Sequence, residues 1–376
     1  MTKDVAIVGA SSAGLFTANL LAQKGLNVKV FEAKDSLNHS PRTLIVTSYL
    51  GTLAKSLMEG TVVNKIHRFE LFADGRVATI SLKKHDLVIE RSALIQKLAG
   101  EAKSSGTQVF TGHSFSGFKS NGRKLTCSFY CNGDKDLKEW SVQTLVGADG
   151  TFSRVARAGG WEPQVTVPLL QAVVELPKDL PPDTTRVWFL PDETSYFFWL
   201  IPHSPTHGVL GLIAEDANRG RIALERFLKR KGIVSIASQS ARTPLYTRWV
   251  PIHKKQGGND VYLVGDAAGH VKVTTVGGVV TGFRGAKGVA EAILNGGNSA
   301  EFRSLRRELN LHLLIRKSLN GFCEADYVRL LDILNPSSRR LLSSYTRDEA
   351  IKLLLSLALR QPRFVLLGLR ALIKGR

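Results

Sequence analysis

The first 32 residues hold the pattern that most restricts how this chain can fold. Residues 5–8 (VAIV) form a short apolar run that is typical of a buried parallel strand. The run leads into a turn of small residues at 9–14 (GASSAG), and apolar residues then recur at helical spacing as far as Gly25. Residues 28–31 (VKVF) indicate a second strand, which ends at Glu32. This order predicts a β-α-β unit of the Rossmann type, so we expect an α/β fold.

The residue types of the turn indicate a dinucleotide site. The first glycine permits the tight bend, the last lets helix and strand pack closely, and a pyrophosphate can approach the backbone between them, at the helix N-terminus. A serine stands where the usual pattern has its middle glycine. The acidic residue about 20 positions further on is placed to accept hydrogen bonds from ribose hydroxyls. The predicted cofactor contacts are Gly9, Ser11, Ser12, Ala13, Gly14 and Glu32.

Two later segments repeat the pattern of a strand followed by a turn, and they favour FAD over NAD. Residues 145–154 (LVGADGTFSR) place Asp149 in such a turn, and residues 261–269 (VYLVGDAAG) do the same for Gly265 and Asp266. A flavin with its ribitol extends beyond the first β-α-β unit and needs a carboxylate for the ribitol hydroxyls, for which Asp266 is the candidate. Gly277 and Gly278 open another apolar helix, whose N-terminal amides could stabilise the reduced flavin.

These motifs, in this order, resemble the p-hydroxybenzoate-hydroxylase-like superfamily of FAD proteins and, within it, the geranylgeranyl reductase family. The resemblance covers most of residues 1–295, and residues 265–278 (GDAAGHVKVTTVGG) look very like the reductases' segment around the flavin. It implies that Arg91, in residues 89–94 (IERSAL), contacts FAD. Residues 41–44 (PRTL) look like the segment after the second strand in flavin monooxygenases, with Arg42 as a further contact. Many archaeal prenyl reductases have a Pro-x-x-Cys-Gly element in this region, whereas this chain has no cysteine there.

The motifs also divide the chain. Residues 1–60, 86–165 and 256–295 are predicted to form a discontinuous, Rossmann-like FAD-binding domain of the p-hydroxybenzoate-hydroxylase type, α+β overall. Inside it, the stretch from about 114 to 145 indicates a β-meander with a turn at Asn132, Gly133 and Asp134. Residues 166–255, with 61–85, are expected to form a β-sheet substrate domain. Residues 296–376 are expected to form a C-terminal helical region.

A strand in the middle of the chain predicts the substrate pocket. Residues 197–203 (FFWLIPH) are similar to the Tyr-x-Trp-x-Phe-Pro-Lys strand of the reductases. Trp199 and Pro202 are retained, whereas the Tyr, Phe and Lys are replaced by Phe197, Ile201 and His203. What remains is a large apolar wall that suits a prenyl chain, although a core strand packed on its aromatic rings would show the same pattern. The predicted pocket residues are Phe197, Trp199, Ile201 and Pro202.

The resemblance implies an FAD-dependent reductase that saturates carbon–carbon double bonds of a polyprenyl (geranylgeranyl) chain on an isoprenoid lipid or prenyl diphosphate. An isolated alkene accepts hydride only with a proton from an acid in a dry pocket, and Tyr196, His203 and His270 are the candidate acids. A core histidine bonded to a backbone carbonyl is the alternative for each histidine. Because no second dinucleotide fingerprint follows, the electron donor is expected to be NAD(P)H or a ferredoxin, the latter as an electron-donor protein partner.

Other functions stay open. Flavin-dependent halogenases carry a Trp-x-Trp-x-Ile-Pro strand, and Phe197, Trp199, Ile201 and Pro202 match three of its four named positions. A halogenase also needs a catalytic lysine, which no motif here identifies. A flavin-dependent monooxygenase acting on an aromatic substrate fits the same cofactor motifs. A flavin-binding membrane-surface protein without turnover is the non-enzymatic alternative.

The charge balance indicates an anionic partner. There are 51 Lys and Arg against 32 Asp and Glu, a net charge of +19, which attracts nucleic acid, anionic lipid or anionic substrates. No nucleic-acid-binding signature is present, so a specific nucleic acid partner is not expected. The leucine-rich runs at 351–360 and 364–374 are flanked by cations, interrupted by Pro362 and too short to span a bilayer. They predict either a peripheral membrane contact or a helical subdomain packed on the core.

The cysteines and the N-terminus indicate a compartment. Cys127, Cys131 and Cys323 are too few and scattered for a disulfide framework, and the first two lack a partner pair for a zinc site, so no metal is expected. No secretory signal pattern precedes the first strand. A cytoplasmic protein at the inner face of the membrane is therefore the expectation.

Overall fold

The computed structural model describes residues 3–38, 41–133 and 137–374, and within them it shows three β-sheets and eleven α-helices. The strands are β1 (Asp4–Val8), β2 (Asn27–Phe31), β3 (Thr43–Thr47), β4 (Val62–Ala73), β5 (Arg76–Glu90), β6 (Gln108–Phe110), β7 (His113–Ser120), β8 (Leu125–Cys131), β9 (Leu137–Val142), β10 (Thr144–Gly147), β11 (Thr166–Glu175), β12 (Thr184–Trp188), β13 (Phe198–Pro202), β14 (His207–Ile213), β15 (Ser235–Pro244), β16 (His253–Gln256) and β17 (Asn259–Leu263).

The helices are α1 (Ser12–Ala22), α2 (Tyr49–Leu53), α3 (Arg91–Ser104), α4 (Arg154–Ala158), α5 (Ala217–Lys231), α6 (Val279–Leu294), α7 (Ala300–Asn320), α8 (Glu324–Asp332), α9 (Pro336–Ser344), α10 (Ala350–Arg360) and α11 (Pro362–Lys374), with 3-10 turns at Lys55–Met58 and Gly265–Ala268. No helix among the described residues combines the length and the apolar character needed to cross a bilayer.

The six-stranded sheet confirms the predicted Rossmann-like unit. Its order is β16-β17-β10-β1-β2-β6, and only β16 runs antiparallel to its neighbour. Both faces of β1 are covered, because Val5 and Ile7 join the core with α1, α3 and α6 whereas Ala6 and Val8 pack against the meander β7-β8-β9. Two-sided burial explains why this strand is an unbroken apolar run. Asp134, part of the predicted meander turn, lies outside the described residues.

The eight-stranded sheet has the order β15-β11-β14-β13-β12-β4-β5-β3. Its neighbours are antiparallel except β12 and β4, which run parallel. Strand β3, which lies within the segment 1–60 predicted for the FAD-binding domain, pairs with β5 in this second sheet, and β5 itself crosses the predicted boundary at residue 86. The chain therefore passes between the two sheets at 43–47 and again at 76–90, which places a wall of the second sheet beside the first.

The C-terminal helices close one side of the space between the sheets. Helix α7 packs on α6, α9 packs on β5, and α10 and α11 pack on α7 and on each other. Tyr327 and Leu331 of α8 share a core cluster with Ile80 of β5. The helical region predicted for 296–376 is therefore joined by packing contacts to α6 and to the eight-stranded sheet.

Candidate cofactor and substrate site

The predicted cofactor residues meet at one edge of the six-stranded sheet. Strands β2, β1, β10 and β17 are parallel neighbours, with Val8 opposite both Phe31 and Gly147, and Gly147 opposite Leu263. The carboxyl ends of parallel strands lie at the same edge, which is where open α/β sheets bind ligands. The turns that carry the glycines, the two aspartates and the glutamate predicted to bind ribose therefore converge, although they are far apart in sequence.

The first turn is built for close approach of backbones. Gly9 has φ +101°, and a Cβ on it would lie 2.4 Å from the carbonyl oxygen of Ala148. A Cβ on Gly14 would lie 2.3 Å from the carbonyl oxygen of Gly9. Ser11 precedes α1, and its hydroxyl accepts a hydrogen bond of 3.1 Å from the backbone N–H of Gly14. The serine that replaces the middle glycine thus caps the helix that follows.

Glu32 lies directly beside this turn. Its Oε2 accepts a hydrogen bond of 2.9 Å from the backbone N–H of Ala10, and its Oε1 accepts one of 3.0 Å from that of Lys34. The carboxylate is held at the end of β2, where the sequence pattern places the acceptor for ribose hydroxyls.

The two aspartates have different surroundings. The carboxylate of Asp149 accepts hydrogen bonds from the Ser153 hydroxyl at 2.6 Å and from the N–H groups of Arg154 and Val155 at 2.7 and 3.1 Å. It therefore caps the N-terminus of α4, and its contact with a cofactor stays a prediction. Burial raises the pKa of Asp149 in spite of these bonds.

Asp266 lies in the 3-10 turn after β17 and faces the start of α6. A Cβ on Gly278 would lie 3.1 Å from its Oδ1, so a glycine leaves room for this carboxylate at the helix N-terminus. The preceding Gly265 has φ +65° and approaches Ala13 of α1. Burial raises the pKa of Asp266, and the charge of Arg91 acts in the opposite direction.

Two arginines complete this part of the site. The backbone N–H of Arg91 donates to the carbonyl of Arg42 at 2.9 Å, which brings β3 and α3 together. Burial and the charge of Arg91 lower the pKa of Arg42, whose Nε is buried without a hydrogen-bond partner among the described residues. Paired cations with a buried unused donor fit an anionic ligand. Together with the glycine turn and Asp266, they fit the diphosphate and ribitol of FAD.

A cavity of about 410 Å³ extends from the start of α6 along the inner face of the eight-stranded sheet, a size typical of small-molecule sites. Gly277 and Gly278 line it at one side, and Arg42 lies in its wall. Its aromatic and aliphatic walls include Phe69, Leu71, Ile80, Val88, Leu169, Val187, Phe189, Phe197, Trp199, Ile201, Val209, Val276, Leu342, Tyr345 and Leu353.

Three of the four predicted pocket residues, Phe197, Trp199 and Ile201, line this cavity. Pro202 does not, since it ends β13 and its carbonyl accepts a hydrogen bond of 3.0 Å from the side-chain amide of Asn64. Alternation along β13 separates the two faces, and Phe198 and Leu200 belong to the core on the other side of the sheet. The strand is therefore both a core strand and a cavity wall.

The cavity has a charged end that the sequence motifs did not identify. The Nζ of Lys272 donates to Oδ1 of Asp348 at 2.5 Å, and the hydroxyl of Thr47 donates to Oδ2 of the same carboxylate at 2.6 Å. Arg347 forms an ion pair with Asp86 at 2.5 Å. Burial alone would raise the pKa of Asp348, but the charge and hydrogen bond of Lys272, with the Thr47 bond, hold it below its usual value. This cluster joins the cofactor segment to the C-terminal region.

The segment between the charged end and α6 is strained. Val276 has φ +50°, a left-handed conformation that a β-branched residue rarely adopts. It is buried and lines the cavity, and Lys272 bridges backbone to Gly277 across the loop. Backbone strain of this kind costs of order 1–3 kcal/mol and persists where the surroundings hold it, commonly at ligand sites.

The three predicted acids are not brought together. None of Tyr196, His203 and His270 is among the described residues that line the cavity. The Tyr196 ring lies 4.4 Å from the guanidinium carbon of Arg316, and burial raises its pKa. His203 lies in the turn between β13 and β14, where burial lowers its pKa.

His270 is a core histidine. Its ring stacks on Trp249 with 5.7 Å between centroids, and a Cβ on Gly285 would lie 2.1 Å from its Nδ1. Burial, with a contribution from the charge of Arg284, lowers its pKa to about 3. Neither ring nitrogen has a hydrogen-bond partner within the part of the chain that the structure describes. The catalytic roles of the three residues stay predictions that this geometry does not favour.

Residues 2–295 match the family model described as the FAD binding domain. The chain belongs to this FAD-binding family. No curated protein matches its sequence. A solved structure of a geranylgeranyl bacteriochlorophyll reductase-like protein from Thermoplasma acidophilum is similar over 100% of this chain and 99% of that one, with 18% identity and a TM-score of 0.78.

Other similar structures are those of flavin-dependent enzymes with different names. A flavin-dependent brominase matches over 94% of this chain and 93% of that one, with 18% identity and a TM-score of 0.66. Aklavinone-11 hydroxylase, in a complex with FAD and aklavinone, matches over 85% of this chain and 68% of that one, with 18% identity and a TM-score of 0.60. At these identities the likeness shows the fold alone. The protein is thus an FAD-dependent oxidoreductase with the p-hydroxybenzoate-hydroxylase-like fold.

Proposed function

We propose that this flavoprotein reduces carbon–carbon double bonds of a polyprenyl chain, of the geranylgeranyl type, carried by a lipid or a prenyl diphosphate. The observation that carries the proposal is the cavity, which is mostly apolar and reaches the start of α6, where the flavin is expected. An apolar cavity binds a hydrocarbon chain by excluding it from water. The similarity to the reductase-like protein of Thermoplasma acidophilum supports the same reading.

The residues of this chain would position the substrate and keep the site dry. Phe197, Trp199 and Ile201 present one continuous apolar face, and Val276 with Gly277 sets the distance between that face and α6. Bound in its reduced form, FAD supplies hydride equivalents to this space. Reduction of an isolated alkene also requires a proton.

Ionisable groups in the cavity wall include Lys272, Asp86 and Tyr345, and we propose that the proton enters through this charged end. The electron donor is proposed to be NAD(P)H or a ferredoxin.

The same cavity supports a second candidate, a flavin-dependent halogenase or monooxygenase acting on an aromatic substrate. Lys84 and Lys272 both line it, so the cavity wall contains the residue type that a halogenase needs. Phe69, Phe189 and Trp199 could stack on an aromatic ring. The similarity to a brominase and a hydroxylase is consistent with this alternative.

Product analysis separates the candidates. Chemically reduced protein would be incubated without oxygen with a geranylgeranylated glycerolipid, and the lipid examined by mass spectrometry. A gain of two hydrogens per double bond supports the proposal. An unchanged lipid, together with an oxygen- and halide-dependent change in a phenolic substrate, would refute it.

A pair of tryptophan variants tests whether the cavity holds the substrate. Trp199→Leu removes an indole ring from the cavity wall. Trp188 lies on the neighbouring strand β12, where it packs in a separate core cluster on the opposite face of the sheet, so Trp188→Leu is the control. We expect Trp199→Leu to lower lipid reduction at least tenfold while FAD content is kept, and Trp188→Leu to leave turnover per bound FAD close to that of the original protein. Equal turnover in both variants would contradict the placement.

A further inference from the structure

The outer faces of α10 and α11 carry a row of exposed large apolar side chains. These residues are Leu355, Leu359, Leu366, Leu369 and Ile373, each of them at least half exposed. Single exposed leucines are ordinary in folded proteins, but five on two helices that pack together form a patch of the kind that marks an interaction surface. We call these five residues the apolar stripe.

The inner faces of the same helices are already occupied. Leu357 and Ala371 are buried, and the carbonyl of Gly368 accepts a hydrogen bond of 3.0 Å from the hydroxyl of Ser318 on α7. The helices therefore do not need the apolar stripe to remain on the protein, and its exposure is not a consequence of loose packing.

The charged residues of α10 and α11 are all of one sign. Arg360, Arg363 and Arg370 are exposed beside the apolar stripe, and residues 350–374 contain no aspartate or glutamate. An amphipathic helix with leucines on one face and arginines at its edges binds in the plane of an anionic lipid surface. Each basic residue near such a surface adds to the attraction. A neutral or basic covering would leave these arginines without partners.

The helix that carries part of the apolar stripe also borders the cavity. Leu353 of α10 lines the cavity, as do Tyr345 and Arg347 in the segment that leads into that helix. Lys84, an exposed residue of the cavity wall, pairs with Glu349 at the start of α10 at 2.9 Å. The rim of the cavity therefore borders the helix that carries two of the five residues of the apolar stripe.

We infer that α10 and α11 dock the protein flat on an anionic membrane surface, with the rim of the cavity turned toward the lipid. A hydrophobic substrate could then pass from the bilayer into the cavity along α10 without crossing water. The docking surface does not depend on the reaction proposed above. The passage of the substrate along α10 does rest on that proposed reaction.

Vesicle sedimentation tests the surface with the full-length, FAD-loaded protein. The vesicles contain equal parts of phosphatidylcholine and phosphatidylglycerol, or phosphatidylcholine alone. We expect binding to the anionic vesicles, a loss of roughly 100-fold in affinity for Leu359→Glu/Leu366→Glu, and a loss of about 30-fold for Arg360→Gln/Arg363→Gln. Val234→Glu, which places the same charge at an exposed apolar residue outside these helices, should bind as the original protein does.

Three outcomes would overturn the inference: no binding to anionic vesicles, equal binding by the Leu359→Glu/Leu366→Glu and Val234→Glu variants, or a dimer that light scattering shows to dissociate on substitution of the stripe. The last would make a second copy of the chain the partner. FAD content in every variant reports that it is folded. Binding to vesicles without any lipid reduction would support this surface and refute the proposed reaction, so the two failures are distinguishable.

Discussion

Replacing Lys272 by methionine should destabilise the protein strongly, because it removes one partner of a buried ion pair. The side chains of Lys272 and Asp348 are 6% and 1% exposed and lie 2.5 Å apart. Methionine keeps most of the length of the lysine side chain. Among the described residues, it leaves Thr47 as the remaining side-chain hydrogen-bond donor to the Asp348 carboxylate. Loss of one partner from a buried pair typically costs 3–5 kcal/mol of unfolding free energy. For a chain of 376 residues that unfolds cooperatively, this corresponds to a Tm about 5 °C lower.

The pH dependence of this loss has a definite sign. In the original protein the folded pKa of Asp348 is lowered, so its contribution to stability is present above the unfolded pKa of about 3.9 and is lost as the pH falls through the folded value. Without Lys272, burial is left to raise the folded pKa of Asp348. The loss of unfolding free energy in the Lys272→Met variant should then be largest at neutral pH. It should be smaller near pH 4, where the Asp348 carboxyl group can be protonated.

Calorimetry and urea unfolding of four proteins measure the effect. The Lys84→Met variant is the matched control, since it removes a lysine from an exposed pair with Glu349 and should cost under about 1 kcal/mol. The Lys272→Met/Asp348→Leu double variant should recover much of the loss, because it leaves no buried charge unpaired. Equal destabilisation by Lys272→Met and Lys84→Met, or a double variant as unstable as the sum of its single variants, would refute the reasoning.

Three further predictions concern the cofactor edge and its surroundings. Asp266→Ala should lower FAD content, which is read from the ratio of absorbance at 450 and 280 nm. Asp192 is exposed, and Asp192→Ala should not lower FAD content. Equal FAD content in both variants would contradict the assigned site. Gly9→Ala should prevent FAD binding or folding, because the added Cβ would lie 2.4 Å from the carbonyl oxygen of Ala148. Gly25 also has a positive φ, but a Cβ there would have nothing within 4 Å. Gly25→Ala should therefore keep FAD and lower the unfolding free energy by only about 1 kcal/mol. Because the folded pKa of His270 is about 3, the unfolded chain takes up a proton there below pH 6.5 that the folded chain does not. Lowering the pH from 7 to 5 should therefore remove about 2 kcal/mol of stability that a His270→Gln variant does not lose, and an identical pH dependence in both proteins would contradict that burial.

The cofactor edge was predictable because local sequence determines it. The turn after β1 needs glycine at residue 9 for its positive φ, and parallel strands must end in turns at one edge, so short motifs report the site directly. Glu32 and Asp266 are predicted in this way, and both follow strands that end at that edge. Arg42 is predicted from the resemblance instead, and it lies in the cavity wall. The similarity of residues 197–203 to the reductases' strand predicts four pocket residues, and Phe197, Trp199 and Ile201 of these line the cavity.

The charged end of the cavity could not be predicted, because its members come from segments without a motif. Asp86, Lys272 and Asp348 lie on a strand, a loop and an interhelical segment, and only tertiary packing brings them together. The prediction of Tyr196, His203 and His270 as proton donors rests on chemical type and on nearness in sequence to the motifs. His270 shows why this is insufficient, since it follows the cofactor turn directly and yet faces Trp249 in the core.

Reoxidation of the flavin by the proposed substrate tests the central claim most directly. The protein would be photoreduced without oxygen and mixed with a geranylgeranylated glycerolipid, while absorbance at 450 nm reports oxidised FAD. Prenyl reduction predicts that the absorbance returns on lipid addition, with one flavin oxidised for each double bond lost, and that a fully saturated lipid has no effect. A flavin that stays reduced with the unsaturated lipid and is oxidised only when oxygen is admitted would contradict it.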